Sequence, residues 1–410
     1  MPFPRDSTAN CGLDRFACAC PQQWLYLLGD LPGDGGVVYS EVQQRFAGLD
    51  AAGVSAYRAF DAGATLEDLG KLPVADSCAS TTGEGLQAIY ELSQGVFPAE
   101  DAQAEWPALA PPTFDPSTFD PSTFALSRCG DLEIVNIEID GIPVSLQYPP
   151  GPLASLCRDY FRNCPITERQ ARCRLSAQQE ENGWAIYVNG RKFLPLPLEQ
   201  QLGLGLMHAA RSLLYAQGEY DVAFHAAMVA HDDFGIMLSA PRECGKSTLA
   251  AYLVTQGFDL LTDEPALLDL DTRSVKSLRL PISLKQASWP ILRQQWPDLA
   301  STPVHIRSDG TKIRLAHPAQ QRCSSRARPL TQIVFPHYCP DSEARVESMP
   351  PFLTLRFLID GGMSLARHIV REDFESFLKL VCLTPAYRIH YASQQAADRM
   401  LREVGCFATR

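Results

Sequence analysis

Residues 239–248 read Ser-Ala-Pro-Arg-Glu-Cys-Gly-Lys-Ser-Thr. The end of this stretch fits the pattern Gly-x-x-x-x-Gly-Lys-[Ser/Thr]. In that pattern backbone N–H groups surround a phosphate, the lysine reaches the β- and γ-phosphate oxygens, and the hydroxyl ligates Mg²⁺. Gly245, Lys246 and Ser247 supply these groups, whereas Ala240 stands in place of the first glycine. The stretch therefore predicts a phosphate-binding loop and a nucleotide ligand.

The flanking residues have the pattern that such a loop requires. Residues 234–239 form a short apolar run typical of a buried strand. After the loop, apolar residues recur at helical spacing from Leu249, and Gly257 is placed to end the helix. A Gly-Lys-Ser-Thr stretch alone could be a polar turn before a helix. The succession of strand, loop and helix favours a phosphate loop in an α/β fold.

Two further apolar runs carry polar residues that suit this chemistry. Residues 258–262 read as a strand that ends in Asp263 and Glu264. Ligands of α/β sheets bind beyond the carboxyl ends of strands, where a carboxylate holds Mg²⁺ or accepts the proton of an attacking hydroxyl. The alternative is a solvated acidic pair before a proline. Residues 222–230 read as a strand with one histidine, His225, which by itself would be an ordinary core residue.

This order of features resembles the catalytic domain of HPr kinase/phosphorylase, a bacterial protein kinase built on a phosphate loop. A narrower resemblance, to the HPr-kinase-related kinase A group, extends over about residues 128–405. It depends on the order and spacing of short blocks at residues 182–184, 194–198, 225–227, 240–248, 261–264, 281–285, 311–317, 334–336 and 387–391.

The resemblance implies an α/β fold, a P-loop kinase core of the HPr kinase / PEP carboxykinase type with a mixed sheet. It implies ATP and Mg²⁺ as cofactors, with Asp263 as base, Glu264 as a metal ligand or orienting partner, and His225 supporting the substrate or γ-phosphate side. The implied metal ligands are Ser247, Asp263 and Glu264. The implied nucleotide-binding residues are Ala240, Pro241, Arg242, Glu243, Cys244, Gly245, Lys246, Ser247 and Thr248, with the cations Lys285, Lys312 and Arg314. Each of these three cations could equally be an ordinary surface residue.

Two residues of the loop deserve separate expectations. Relatives tend to carry glycine at the position of Glu243, and a carboxylate there would repel phosphates unless Arg242 or Lys312 offsets its charge. The alternative to an active kinase is therefore a nucleotide-binding pseudokinase or scaffold. A plain NTPase fits less well, because no arginine finger is evident. For Cys244 we expect a lowered pKa, because loop N–H groups and a helix start stabilise a thiolate.

Composition narrows the class of protein and its partners. The chain has 410 residues, of which 46% are hydrophobic, enough for two or three domains with cores. A net charge of −11, without clustered basic residues, argues against nucleic acid or an anionic membrane as partner. No segment resembles a secretory signal or a membrane span, which predicts a cytoplasmic protein. The 13 scattered cysteines contain no Cys-x-x-Cys pair and predict reduced thiols.

The chain divides into three regions. Residues 97–127 form a Pro-rich linker in which residues 113–117 repeat directly as residues 118–122. Residues 128–410 form the kinase-like domain, with a β-rich first subdomain at 128–205 and the nucleotide-binding core at 206–410. The parent family assembles into rings, which leaves a homo-oligomer as an open alternative to a monomer.

Residues 1–96 predict a small α+β domain of winged-helix type. Residues 24–28 and 37–39 read as a β-hairpin, and a helix capped by Asp50 follows. Short helices are expected after Thr65 and around Leu86. Strands followed by small helices resemble PqqD-like peptide-recognition modules. If the module is of that kind, the partner would be a substrate peptide or small protein that adds as a strand beside the hairpin at 37–39 and against the helix at 54–60. The alternative is a winged-helix domain with a structural or dimerising role.

Overall fold

The computed structural model describes residues 13–17, 23–28, 35–40, 45–49, 51–62, positions 87, 91, 93 and 94, and residues 132–405 except 242, 325, 367 and 368. The linker at 97–127, the helix expected after Thr65, and Leu86 itself lie outside the described residues. The described part is a mixed α/β protein with four sheets, of four, five, three and ten strands. This confirms the predicted α/β class.

The amino-terminal sheet is antiparallel, with its four strands in chain order. A helix follows it, α1 (Ala51–Asp61), whose buried residues include Val54, Tyr57 and Phe60. The predicted hairpin and helix are therefore confirmed, although two of the four strands were not predicted. The strands are β1 (Leu13–Ala17), β2 (Gln23–Leu28), β3 (Gly36–Ser40) and β4 (Arg45–Leu49).

The position of β3 corrects the expected mode of peptide binding. We expected a peptide to pair beside residues 37–39, but β3 is hydrogen-bonded to β2 on one side and β4 on the other. A strand that is paired on both sides has no backbone groups to offer a peptide. The edges of this sheet are β1 and β4.

A five-stranded sheet occupies the β-rich first subdomain. Its strands lie in chain order, and only β6 and β7 are parallel. The strands are β5 (Glu133–Ile139), β6 (Ile142–Tyr148), β7 (Cys173–Glu180), β8 (Gly183–Val188) and β9 (Arg191–Leu196), with helix α2 (Pro152–Asp159) between β6 and β7. The next helix, α3 (Leu202–Gln217), packs against α2, β7, β8 and β9.

The ten-stranded sheet is the largest sheet of the region predicted to bind nucleotide. Its strands are β10 (Val222–Phe224), β11 (Ala226–His231), β12 (Phe234–Ser239), β13 (Asp259–Thr262), β14 (Ala266–Asp269), β15 (Ser274–Val275), β19 (Arg328–Tyr338), β20 (Arg345–Ser348), β21 (Met363–Leu365) and β22 (Ala386–Tyr391). The three-stranded sheet contains β16 (Ile282–Lys285), β17 (His305–Ile306) and β18 (Lys312–Ala316). The helices are α4 (Lys246–Thr255), α5 (Trp289–Leu292), α6 (Pro351–Asp360), α7 (Arg371–Leu383) and α8 (Gln394–Glu403).

The amino-terminal sheet packs on α7. The Tyr39 ring stacks on Phe374 with centroids 4.2 Å apart, and the Tyr26 hydroxyl donates a hydrogen bond to Glu375 Oε1 at 3.3 Å. Tyr26 and Tyr39 are fully buried and belong to the same hydrophobic core as the five-stranded sheet. The described part of residues 1–96 is therefore packed against the region 128–410.

Strand directions bring the predicted site residues to one edge of the large sheet. Strand β12 runs antiparallel to β11, so that Ser239 at its end pairs with Ala226 at the start of β11. Strand β13 is also antiparallel to β11 and ends at Thr262, opposite Met228. The start of β11 and the ends of β12 and β13 therefore share this edge. The predicted continuous strand at 222–230 is in fact two strands, interrupted at His225.

Candidate functional site

The predicted phosphate loop connects β12 to α4. Gly245 adopts a left-handed φ of 90° as the N-cap of α4, and the helix ends at Thr255, before Gly257 with φ 104°. A Cβ atom at position 245 would lie 2.7 Å from the Tyr391 hydroxyl and 3.0 Å from Tyr338 Cβ. Both the backbone angle and the lack of space therefore require glycine at this position. The predicted strand and helix on either side of the loop are confirmed.

Lys246 is held at the inner end of the loop. Its Nζ donates a hydrogen bond to the His225 carbonyl at 2.7 Å, and only 8% of the residue is exposed. Burial lowers the pKa of Lys246, whereas the charges of Glu264 and Asp263 act in the opposite direction. The ammonium group is thereby held at the His225 carbonyl, where it experiences the charges of two carboxylates.

Asp263 is almost fully buried, with 3% of the residue exposed. Its Oδ2 accepts a hydrogen bond from the Ser283 N–H at 2.9 Å, and its Oδ1 makes no hydrogen bond with the described residues. Burial raises the pKa of Asp263, while the Ser283 N–H, the Lys246 charge and the Ser247 hydroxyl act against this increase. A buried carboxylate oxygen without a partner is costly, which is typical of a functional position.

Glu264 lies at the centre of an ion-pair cluster. Its Oε1 is 2.9 Å from Arg211 Nη1 and also 2.9 Å from His225 Nδ1. Burial alone would raise the pKa of Glu264, but Arg211, His225 and Lys246 together hold it well below its ordinary value. Glu264 is therefore an ionised group whose Oε1 is committed to two neighbouring side chains.

Arg211 is a site residue that the sequence did not indicate. It lies on α3, 53 residues before Glu264, and 13% of its side chain is exposed. Burial would lower its pKa, but Glu264 holds the pKa of Arg211 above its ordinary value. The available signal was one arginine within the mostly apolar stretch 202–217, because a buried arginine requires a partner.

Glu243 lies at the outer side of the loop and adopts a φ of 73°. This left-handed region favours glycine, which explains why a loop of this kind carries glycine there. The Glu243 side chain is 77% exposed, and its Oε1 accepts a hydrogen bond from Lys285 Nζ at 2.8 Å, which lowers the pKa of Glu243. The cation that offsets this charge is thus Lys285 and not Lys312, and Arg242 lies outside the described residues.

The remaining predicted nucleotide-binding residues differ in burial and in the direction of their side chains. Thr248 is buried and its hydroxyl is hydrogen-bonded to that of Ser288 at 2.6 Å. Arg314 is directed elsewhere, because its Nη1 donates to the Leu299 carbonyl at 2.5 Å and its guanidinium lies 4.8 Å from the Trp289 ring centroid. Lys312 is exposed at the start of β18. Ala240 is buried and Pro241 is exposed at the start of the loop.

Cys244 differs from the expectation. Burial raises the pKa of this thiol, and the charges of Arg388 and Lys246 only partly oppose the increase. The expected lowering is wrong because desolvation of the thiolate outweighs these cations. Its carbonyl accepts a hydrogen bond from the Tyr338 N–H at 3.2 Å, which connects the loop to the end of β19.

Among the described residues, no three His, Cys, Asp or Glu side chains form a metal-binding group. A phosphate loop needs no such group, since its Mg²⁺ is held by a hydroxyl, one or two carboxylates and substrate phosphates. No helix in the described part of the chain is long and apolar enough to cross a membrane. A scan against protein-family models finds no match, and a search of curated proteins finds none either.

Proposed function

We propose that this protein is an ATP- and Mg²⁺-dependent phosphotransferase of the HPr-kinase-like type that phosphorylates a hydroxyl group. The observation that carries the proposal is that two buried charged groups, Lys246 and Asp263, lie at the predicted phosphate loop, and that Asp263 Oδ1 makes no hydrogen bond with the described residues. A buried charge is costly unless it is paired or hydrogen-bonded, and such groups cluster at functional sites, so their position beside a phosphate loop favours phosphoryl chemistry.

In this proposal the roles follow from the contacts of each side chain. Lys246 binds the β- and γ-phosphate oxygens, and the loop N–H groups surround the phosphates. Ser247 would hold Mg²⁺, since a hydroxyl is a ligand that Mg²⁺ accepts. Asp263 is assigned the role of base, and a metal-ligand role for Asp263 is the alternative that the Asp263→Asn experiment distinguishes. When bound, Mg²⁺ would neutralise charge on the phosphates.

Asp263 and Glu264 have different roles in this proposal. Burial raises the pKa of Asp263, which suits a group that accepts the proton of the acceptor hydroxyl. Glu264 takes the orienting role rather than a metal-ligand role, because its Oε1 already accepts contacts from Arg211 and His225. His225 is held at both ends, through its carbonyl by Lys246 and through Nδ1 by Glu264.

The acceptor in this proposal is a serine or threonine of a peptide or small protein in the cytoplasm. Residues 1–96 would recruit it and raise its local concentration at the kinase-like domain. Because β3 is interior, recruitment by strand pairing would use β1 or β4.

A second candidate function is a nucleotide-binding scaffold without phosphoryl transfer. The observation that favours it is the Glu243–Lys285 ion pair, which engages a cation expected to bind phosphate and places a carboxylate at the loop. This candidate keeps nucleotide binding but lacks turnover.

One experiment separates these functions. The protein is incubated with Mg²⁺ and γ-labelled ATP, alone and with serine- and threonine-containing peptides encoded near its gene, with Lys246→Ala as the control. Label in peptide or protein that the control lacks supports the kinase. Release of free phosphate alone indicates an NTPase, and nucleotide binding without either product indicates the scaffold.

A further inference from the structure

Helix α3 is an unusual place for a charged side chain. Eleven of its 16 residues are buried, and it packs against three strands of the five-stranded sheet. Arg211 lies on this helix with its guanidinium directed at Glu264. Because an unpaired buried guanidinium would strongly destabilise the fold, the Arg211–Glu264 pair must form for α3 to pack in this position.

The contacts of Glu264 give Arg211 a defined geometric effect. Arg211 Nη1 and His225 Nδ1 are bound to the same oxygen, Glu264 Oε1, at equal distances of 2.9 Å. A carboxylate held by a planar guanidinium has a restricted orientation. The orientation of Glu264 in turn fixes the His225 ring, and the His225 carbonyl receives Lys246 Nζ. Arg211 is thus three contacts away from Lys246 in the phosphate loop, through Glu264 and His225.

We infer that Arg211 is a positioning residue for phosphoryl transfer, which holds Glu264 so that Glu264 fixes the His225 ring at the phosphate loop. This inference rests on the proposed function. Arg211 acts through Glu264, so its effect on turnover disappears when Glu264 no longer carries the carboxylate. The five-stranded sheet, which supports α3, then contributes to catalysis although none of its strands supplies a residue to the loop.

The test compares Arg211→Met and Arg211→Lys with a matched control, Lys276→Met. The Lys276–Asp140 pair is a matched control because its side chains are similarly buried, 19% and 15% exposed, and it joins residues 136 positions apart in sequence away from the phosphate loop. We expect Arg211→Met to lower kcat by about 10- to 100-fold through misplacement of the reacting groups, with nucleotide affinity changed less than about threefold. Arg211→Lys keeps the charge and should recover part of the rate.

A double substitution removes ambiguity about folding. In Arg211→Met/Glu264→Gln both charges of the pair are removed, so the chain should fold even if Arg211→Met alone does not. We expect its turnover to equal that of Glu264→Gln alone, because Arg211 has nothing left to position.

Three outcomes would overturn the inference. These are parent-like kcat in Arg211→Met, an equal loss in Lys276→Met, and a further loss in the double variant relative to Glu264→Gln. Nucleotide binding without any turnover in the parent protein would instead contradict the proposed function, and the inference with it.

Discussion

Two ion pairs at the candidate site, one behind the predicted phosphate loop and one on it, differ in burial rather than in length. Arg211 and Glu264 approach to 2.9 Å with side chains 13% and 18% exposed, whereas Lys285 and Glu243 approach to 2.8 Å with side chains 35% and 77% exposed. Charges interact more strongly away from water, and exposed pairs contribute little because solvent and salt screen them. The distance between two charged atoms therefore does not reveal how firmly a pair is held.

Because the two ion pairs differ in burial, we expect them to have different effects on the proposed activity. The inner pair belongs to a buried cluster with His225 and Lys246, so its geometry is fixed before nucleotide binds. The outer pair is accessible. If the proposed nucleotide binds, its phosphates would compete with Glu243 for Lys285. The inner cluster should therefore control the rate of chemistry, and the outer pair should adjust affinity.

The largest effect is expected from Lys246→Ala, which removes the inner cation that binds the phosphates. Nucleotide turnover should fall below detection, and ATP affinity measured by calorimetry should fall by at least about tenfold, the effect of losing about 1.4 kcal/mol of binding free energy. Lys246→Met is the matched variant, because it keeps the apolar stem at this buried position. Unchanged ATP affinity in both variants would contradict the assignment of the loop.

Asp263→Asn should separate chemistry from binding within the inner cluster. The amide keeps the shape of the carboxylate but cannot accept a proton, and loss of a general base typically costs about 10²–10⁴-fold in rate. ATP affinity should change little. The rate is measured across a Mg²⁺ titration, and recovery at high Mg²⁺ would show that Asp263 acts as a metal ligand and not as the base. A rate near that of the parent would make Glu264 the candidate base.

At the outer pair, Glu243→Gly should produce a smaller effect of opposite sign. Glycine tolerates the φ of 73° found at this position, and loss of the carboxylate releases Lys285 for phosphate. We expect ATP to bind about two- to fivefold more tightly, the range set by an exposed ion pair. Lys285→Met in the same background should cancel the gain. Weaker binding in Glu243→Gly would mean that Glu243 supports nucleotide binding.

The smallest expected effect is the dependence of ATP affinity on salt concentration. The affinity difference between Glu243→Gly and the parent protein should shrink as NaCl rises from 0.05 M to 1 M, because the Debye length falls to about 3 Å at 1 M. The rate effect of Arg211→Met should stay constant over the same range, since the inner cluster is buried. Equal salt dependence of the two effects would remove the distinction between the pairs.

The local part of the site could be predicted from the sequence. The apolar run at 234–239, the loop and Gly257 specify β12, the phosphate loop and the end of α4 through short-range patterns. The next strand, β13, ends directly before the predicted acidic pair. These features depend on hydrogen bonds and dihedral angles within about 30 residues of sequence.

The long-range part could not be predicted from the sequence. Glu243 and Lys285 are 42 residues apart, and Arg211 reaches Glu264 across 53 residues of sequence, from a helix that packs on the five-stranded sheet. The spacing of apolar residues along the sequence indicates which face of a helix or strand is buried. It does not indicate which charged side chains come into contact in the folded protein. The same limit applies to β3, whose interior position depends on the unpredicted neighbour β4.

The crowding around Gly245 has a consequence for mutational drift. Gly245 is required by its φ of 90° and by the adjacent Tyr391 hydroxyl, whether or not a nucleotide ever binds. A descendant of this chain that lost its activity would keep this glycine, because folding alone selects it. Lys246 and Asp263 are under the opposite pressure, since apolar replacements for buried charges often stabilise a fold. Gly245 alone therefore does not indicate that a loop of this kind is active. Retention of the two buried charges, Lys246 and Asp263, is the better indication of function.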